Sequence, residues 1–298
     1  MDNQIVSVII TCFNQEKYIQ RALKSVLHQT YSYWECIIVD DGSTDNSFRI
    51  ISDFIDKDDR FKLIRQENMG VTVARNTGVS NATGNIIQIL DGDDWIHDEK
   101  LERQLEYFRQ YPQIDVSYVL HRFYFEQSAS YEIYEFDRLK ENPFEQFLFD
   151  WHSGVATPIH AFLFKRQIWD EGESLFPEDY IFGEEDWVFH VLTAMKNIRY
   201  GCLEEVLCTY FNGADSFTSS IVNSCINSID AAIYIRERIP ADMQERFWRV
   251  VVHKILDRYH DSKKAEVLRS SKNWRLGNFI SRPFFLLFRS LKRLSAKN

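Results

Sequence analysis

No run of about 18 apolar residues occurs in this chain of 298 residues, so no transmembrane helix is expected. The opening Met1-Asp2-Asn3-Gln4 is not basic and leads into only a short apolar run, so no secretory leader is expected. Cysteine is scarce and unpatterned. Cys12, Cys36, Cys202, Cys208 and Cys225 are odd in number, and no two are spaced Cys-x-x-Cys. That argues against a disulfide framework and a structural zinc, and for a reducing compartment. No Gly-x-Gly-x-x-Gly follows the first strand-like run, which argues against a dinucleotide-binding dehydrogenase. Excess positive charge is missing as well. The formal net charge is −9, which argues against general nucleic-acid binding. The charge is uneven, however. From Lys263 to Asn298 there are ten Lys or Arg against the single acid Glu266, so the first 262 residues carry −18.

What is present centres on Ile86-Ile87-Gln88-Ile89-Leu90-Asp91-Gly92-Asp93-Asp94-Trp95. A short, mostly apolar run reads as a buried strand. Three carboxylates then crowd its carboxyl end, where ligands bind in open α/β sheets. A divalent cation relieves their repulsion, and hard oxygen ligands suit Mg²⁺ or Mn²⁺ shared with phosphate. Upstream, strand-like runs at Ile5 to Thr11, Trp34 to Val39 and Phe61 to Arg65 alternate with helical patterns at Glu16 to Gln29, after Asp45, and at Val71 to Asn81. Alternation of this kind predicts a largely parallel sheet with right-handed crossovers. It brings Thr11, Asp41 and Asp91 to Asp94 to one sheet edge.

Farther on, Asp98 to Tyr111 reads as a helix, and aromatic-rich strands at Ile114 to Phe125 and Tyr131 to Phe136 make the architecture mixed. Their aromatics, Tyr118, Phe123, Tyr124, Phe125, Tyr131 and Tyr134, are read as core. A strand at Ala161 to Phe164 precedes a helix near Arg166 to Glu171. Phe182-Gly183-Glu184-Glu185-Asp186-Trp187 then opens another helix, in which His190 is read as a packing residue. Val206 to Phe211 is the last strand. Helices are expected at Ile226 to Arg236 and Met243 to Tyr259.

Four segments come in order: Val6-Ser7-Val8-Ile9-Ile10-Thr11-Cys12-Phe13-Asn14, Val39-Asp40-Asp41-Gly42-Ser43-Thr44-Asp45, Asn68-Met69-Gly70 with Ala74-Arg75-Asn76-Thr77-Gly78, and Leu90-Asp91-Gly92-Asp93-Asp94. Together they resemble the successive motifs of family 2 glycosyltransferases. The match is dense from about residue 5 to 110 and looser to about 210. The resemblance implies a GT-A fold, which is an α/β, Rossmann-like mixed sheet. It implies an inverting transferase that moves a sugar from a nucleotide diphosphate, probably UDP-linked, to an acceptor hydroxyl with Mn²⁺ or Mg²⁺.

By the same resemblance, Asp41 faces the uracil, and Thr11 lies beside the nucleoside. Asn14, Asn68, Arg75, Asp91 and Asp93 complete the donor set. Asp93 and Asp94 hold the metal, and Asp186, paired with Glu185, is the general base. Gly70 and Gly78 are read as backbone devices. Where many members of the family carry His or Arg after the last strand, this chain has Asn212, with Ser216 and Thr218 nearby. The rivals are a nucleotide-sugar-binding scaffold without turnover, and a phosphotransferase, for which no nucleophile or lysine is marked.

The resulting layout is a catalytic domain over residues 1–215, with a nucleotide half to about 97 and an acceptor half from about 98. A helical extension follows over 216–298. The segment Trp274 to Leu294 mixes Trp, Phe and Leu with arginines, too interrupted to span a bilayer. It is expected to meet an anionic membrane surface, or alternatively the catalytic domain or a second subunit. The expected setting is cytoplasmic, peripheral on the inner face of the cell membrane. The partners would be a nucleotide-sugar and a carbohydrate or lipid-linked acceptor.

Overall fold

The computed structural model describes residues 4–133, 138–153, 155–169, 174, 176–180, 183–213 and 221–258. The chain divides into two compact units, Met1–Ser216 and Phe217–Asn298.

The first unit is built on a nine-stranded mixed sheet. Strand β1 (Val6–Cys12) lies between β2 (Trp34–Asp40) and β4 (Ile86–Asp91), parallel to both, and β3 (Phe61–Arg65) extends the sheet beyond β2. Val6, Val8, Ile9 and Ile10 are all fully buried. A parallel strand covered on both faces has no solvent side, hence its unbroken apolar run. Helices α1 (Ile19–Leu27), α2 (Ser47–Ile55) and α3 (Val71–Ser80) cross between these strands. Helix α1 buries Ile19, Ala22, Leu23 and Val26, the one-face spacing of an amphipathic helix. Helix α3 lies so close to the sheet that a Cβ at Gly78 would meet Ile9 Cγ2 at 2.2 Å. Thr11 is in register with both Val39 and Asp91, so the polar carboxyl ends of β1, β2 and β4 share one edge.

The rest of the sheet reverses direction. Strand β8 (Phe162–Lys165) is antiparallel to β4 and to β6 (Val116–Phe125). Strand β9 (Tyr200–Asn212) runs parallel to β6. Two antiparallel steps therefore return β6 and β9 to the direction of β4, and their carboxyl ends reach the same edge as Asp91. A two-residue strand, β5 (Trp95–Ile96), pairs with β9, and β7 (Ser130–Glu132) pairs with β6. Helices α4 (Lys100–Gln110), α5 (Phe144–Asp150) and α6 (Glu185–Ala194) complete the unit.

Several expectations are corrected. Strand β9 begins six residues before Val206. Glu204 and Glu205 mask its start, and two register shifts against β6 at Val119 to His121 break the alternation. Those two acids pair with Arg138 and Arg103. The helix expected from Arg166 is a single 3₁₀ turn, Arg166–Ile168. There Arg166 is tied back, with its N–H 2.8 Å from Asn85 O and its Nη1 2.6 Å from Ala82 O. Helix α5 and strand β5 had no counterpart in the sequence reading. Tyr118 is core, but Phe123, Tyr124 and Phe125 are only half-buried and Tyr131 is exposed. Tyr134 and the end of the strand expected through Phe136 lie outside the described residues.

The second unit contains α7 (Ile221–Arg236) and α8 (Gln244–Arg258). Ile229, Ala232, Ile235, Phe247, Val251 and Ile255 form its buried seam, and Arg236 lies 5.5 Å over the Trp248 ring. Trp274 to Leu294 lies outside the described residues, as does the side chain of Cys225. Among the described residues, no helix is long and apolar enough to cross a membrane.

Candidate functional site

Helix α3 carries Arg75 to the shared sheet edge, where its side chain is 1% exposed. An isolated guanidinium at that depth would be very costly, so its partners are decisive. Nη2 donates to both oxygens of Asp91 at 2.9 and 3.1 Å, and Nη1 donates to Asp186 Oδ1 at 2.7 Å and Glu185 Oε1 at 3.3 Å. One arginine thus joins the end of β4 to the first turn of α6, whose Asp186 lies 111 positions from Arg75 along the chain. The same helix holds the approach to α6. Asn76 exchanges hydrogen bonds with the Phe176 backbone at 2.7 and 2.9 Å, and Thr72 Oγ1 donates to Tyr180 O at 3.3 Å. The Phe176 ring covers the guanidinium carbon at 4.9 Å.

Charge is shared unequally within this cluster. Burial pushes Asp91 upward, but the two-pronged Arg75 contact outweighs it and holds the carboxyl below its ordinary value. Burial raises Asp186 despite Arg75. Glu185 is pushed up to about 7, first by burial and then by neighbouring Asp186. A carboxylate pair poised upward in this way suits proton transfer near neutral pH.

The acidic turn turns tightly against β1. A Cβ at Gly92 would meet Gln15 Oε1 at 2.2 Å and Thr11 O at 2.9 Å. Beyond it the two remaining acids part ways. Asp94 is 2% exposed, and both of its oxygens are engaged: Oδ1 accepts from the Phe211 N–H at 2.7 Å, and Oδ2 lies 2.8 Å from His160 Nδ1. It faces protein, with one partner on each oxygen, so each oxygen retains one acceptor position. Asp93 differs. It is half-buried, and no hydrogen bond to its carboxylate from another residue is found among the described residues. Burial, then Asp94 and Asp91, push it up to about 8. A carboxylate with a depressed tendency to ionise beside two other acids is a place short of positive charge.

On the nucleotide side, Asp41 is 4% exposed and caps the start of α3. Its Oδ1 accepts from Gln66 Nε2 at 2.8 Å and the Met69 N–H at 3.0 Å, and its Oδ2 accepts from the Gly70 N–H at 2.9 Å. Each carboxylate oxygen has two acceptor positions, so Oδ2 retains one. Asn14 braces the loops: Oδ1 accepts from the Thr44 N–H at 2.8 Å, and its N–H donates to Ser43 Oγ at 3.0 Å. Thr11 Oγ1 donates to Asp91 Oδ1 at 3.2 Å. Asn68 is exposed on the loop beside them. The structure therefore gathers Thr11, Arg75, Asp91, Glu185 and Asp186 into one connected network, with Asp93 and Asp94 on the turn that leaves it. Asp41, Asn14 and Asn68 belong to the neighbouring loop cluster. Arg75, expected on phosphate, is engaged by carboxylates.

With this geometry in view, the chain was compared with known proteins. The family model described as glycosyl transferase family 2 matches residues 7–172. The chain belongs to that family. An uncharacterized glycosyltransferase of Bacillus subtilis, EpsJ, is 30% identical over 72% of this chain and 63% of its own length. An uncharacterized glycosyltransferase of Haemophilus influenzae is 43% identical over 37% of this chain and 44% of its own length. The chain thus spans between about two fifths and two thirds of these relatives. Among solved structures, S. aureus TarS in complex with UDP-GlcNAc superposes with a TM-score of 0.61 at 18% identity, covering 92% of this chain and 80% of that one. The Pyrobaculum calidifontis mannosyltransferase PcManGT, in complex with GDP-Man and Mn2+, superposes with a TM-score of 0.59 at 18% identity, covering 98% of this chain and 88% of that one. The fold is GT-A.

In this family 2 member, no three His, Cys, Asp or Glu side chains among the described residues are placed to hold a metal ion by themselves. Mg²⁺ and Mn²⁺ on phosphate substrates usually take one or two carboxylates and leave the other positions to phosphate and water. Asp93, with Asp91 beside it, fits that donor set.

Sequence reasoning missed two contributors. His160 sits in a 3₁₀ turn, Ile159–Ala161, at the entry to β8. It is fully buried; burial lowers its pKa, but the Asp94 carboxylate more than compensates and raises it well above the ordinary value. A lone histidine carries no motif, and only the antiparallel course of β8 beside β4 brings it to the site. Arg21 on α1 donates from Nη2 to Asp93 O at 2.7 Å and lies 3.8 Å over the Trp95 ring, which fixes the turn's backbone. His190, by contrast, is packed as expected, 4.3 Å from the Phe162 ring and 4.8 Å from the Phe147 ring.

Proposed function

We propose that this chain is an inverting glycosyltransferase that moves a sugar from a UDP-sugar to an acceptor hydroxyl, assisted by Mn²⁺ or Mg²⁺. The observation that carries the reading is the buried Arg75, which gathers Asp91, Glu185 and Asp186 beside a raised Asp93. That arrangement sets a candidate base against a candidate diphosphate site. Asp186 takes the proton of the acceptor hydroxyl, and the acceptor oxygen bonds to the anomeric carbon from the face opposite the leaving group. The bond from that carbon to the diphosphate oxygen breaks, and UDP leaves with the electron pair. Arg75 keeps the Asp186 carboxylate aimed while Glu185 shares the burden of charge.

Asp93, with Asp91, would hold the divalent ion, which neutralises charge on the diphosphate. Asp94 serves as the strut between the acidic turn, His160 and β9. The half-open second acceptor position of Asp41 suits an imide N–H such as that of uracil. The relatives' names and the TarS and PcManGT complexes are consistent with a nucleotide-sugar donor and with cell-surface polysaccharide or glycolipid assembly. A basic, aromatic Trp274 to Leu294 at an anionic membrane surface would place the enzyme beside a lipid-linked acceptor.

The test is thermal stabilisation by a panel of nucleotide sugars with and without Mn²⁺, followed by assay of UDP release. Binding to the folded state raises the melting temperature by an amount that grows with the logarithm of ligand concentration over Kd. Stabilisation by a UDP-sugar together with UDP release supports the reading. Stabilisation without release by any donor would favour a binding scaffold.

A further inference from the structure

Tyr210 stands at the carboxyl end of β9, and nothing above gives it a task. Its place is fixed on three sides. The next residue's N–H is held by Asp94 Oδ1 at 2.7 Å, so the strand end is tied to the acidic turn. On β6 its register partner is Phe123, whose ring meets the Tyr210 ring at 5.4 Å and 60°. On the other side the His160 ring lies nearly parallel to it, 6.4 Å away at 14°. Yet the residue is only half-buried, and no hydrogen bond of its hydroxyl is found among the described residues. A phenol packed this firmly is usually given a polar partner.

Four carboxylates surround the phenol electrostatically. Burial raises its pKa, and Asp94, Asp93, Asp91 and Asp186 raise it further, in that order. The hydroxyl therefore stays protonated. It is a donor held in a field of acceptors, with a fixed ring and an open end. The diphosphate side already has the cation-seeking Asp93.

We propose that Tyr210 contacts the acceptor, donating its phenolic O–H to the attacking oxygen so that the proton of that oxygen points at Asp186. The acceptor class is a hydroxyl-bearing molecule, with water as its smallest member. This rests on the transferase reading above. The attacking oxygen has two lone pairs, so it can accept from Tyr210 with one and attack the anomeric carbon with the other. Tyr210 itself neither gains nor loses a proton over the reaction.

The experiment compares the full chain with its Tyr210→Phe variant, which keeps both ring contacts. UDP affinity with Mn²⁺ is measured by calorimetry. The turnover rate and KM for UDP release to water are measured with UDP-glucose, UDP-galactose and UDP-N-acetylglucosamine. Methyl β-glucoside and methyl β-galactoside are then offered in the presence of UDP and followed by saturation-transfer NMR. The expected result is a fall of about tenfold in turnover, the effect of one hydrogen bond realised in the transition state. UDP affinity, donor KM and melting temperature should be unchanged, and glycoside signals weaker. Unchanged turnover overturns the proposal, and so does a matching loss of UDP affinity, which would put Tyr210 on the donor. Should no donor be turned over, glycoside signals equal in the two proteins, or absent from both, overturn it. Failure of UDP to bind the wild-type chain overturns the transferase reading together with this one.

Discussion

The two halves of the catalytic sheet are held by different physics. From β1 to β4 the interior is mainly aliphatic and the strands are parallel. The ligand-side polar groups gather at the carboxyl ends, and a second buried polar cluster, Ser7 with Glu35 at 2.8 Å, closes the amino ends. From β5 to β9 the interior is aromatic and carries buried polar groups: His121, His160, His190 and Lys100 are each at most 1% exposed. Lys100 is an instance. Its ammonium group donates to Gln88 and Gln104 in a closed amide network, and burial brings its pKa down to about 7. In the first half Asp41 is held by neutral donors from a nearby loop, while Glu35 and Asp40 on β2 meet Lys62 and Arg65. The second makes its acids comfortable with long-range charge, through Arg75 and His160. A nucleotide base needs a shaped, neutral edge, and group transfer needs adjustable protonation, so the contrast matches the division of labour proposed here.

The sharpest way to break this comparison is to remove the candidate base. Asp186→Asn keeps the shape and the contact to Arg75 but removes proton affinity. Turnover should fall roughly 10²–10⁴-fold, with UDP affinity unchanged. Wild-type turnover in this variant would return Asp186 to a helix-start charge on α6. The next effect is on stability. Arg75→Met leaves Asp91, Glu185 and Asp186 buried without their cation and should cost about 3–5 kcal/mol in urea melts. Adding Asp91→Asn should recover part of that loss, because the two groups are coupled. Strict additivity would contradict the network.

In the aliphatic half the failure should be steric instead. Gly78→Ala drives a methyl group against Ile9 and should cost about 1–3 kcal/mol. Its pH dependence should match that of the wild type, since no charge is disturbed.

The smallest effect is on pH-dependent stability. Asp93 at about 8 and Glu185 at about 7 lie above the ordinary carboxylate value of about 4. The folded state therefore keeps protons that the unfolded chain releases, and stability falls as pH rises from about 4 through about 8. His160, raised above its ordinary value, acts in the same direction. Asp91, lowered by Arg75 against burial, and Lys100, lowered by burial to about 7, act oppositely: the Asp91 contribution is lost in acid, and the cost of burying Lys100 is relieved as pH rises through about 7, offsetting part of the fall. The ligand-free protein should melt a few degrees lower at pH 8.5 than at pH 6, and a melting temperature equal or higher at pH 8.5 would refute the assignment.

How much was legible in the sequence follows the same divide. Strands β1 to β4 and the helices between them could be read because a parallel strand covered on both faces must be apolar along its length, and its ligand residues then follow at its end. The acids at 41, 91, 93 and 186 were found that way and through the family motifs. What could not be read depended on contacts far apart in sequence. Arg75 has the appearance of a phosphate clamp until α6 arrives beside it. Asp94 carries no sign in the sequence of the His160 and Phe211 N–H contacts that tie it to β9 and the entry to β8. Strand β5 is two residues long and exists only because β9 passes there, and Glu204 and Glu205 hide the start of β9 because they lie at a bulge.

The central claim is that the acidic turn is a cation-assisted diphosphate site with the half-buried Asp93 as its ligand and Asp94 as its strut. Calorimetric titration of UDP into the wild-type chain and Asp93→Asn, each with Mn²⁺ and with EDTA, tests it most directly. The account predicts that Mn²⁺ tightens UDP binding to the wild type and that Asp93→Asn loses that gain while keeping the metal-independent part. UDP binding of equal strength in Mn²⁺ and in EDTA, or a full Mn²⁺ effect in Asp93→Asn, would contradict it.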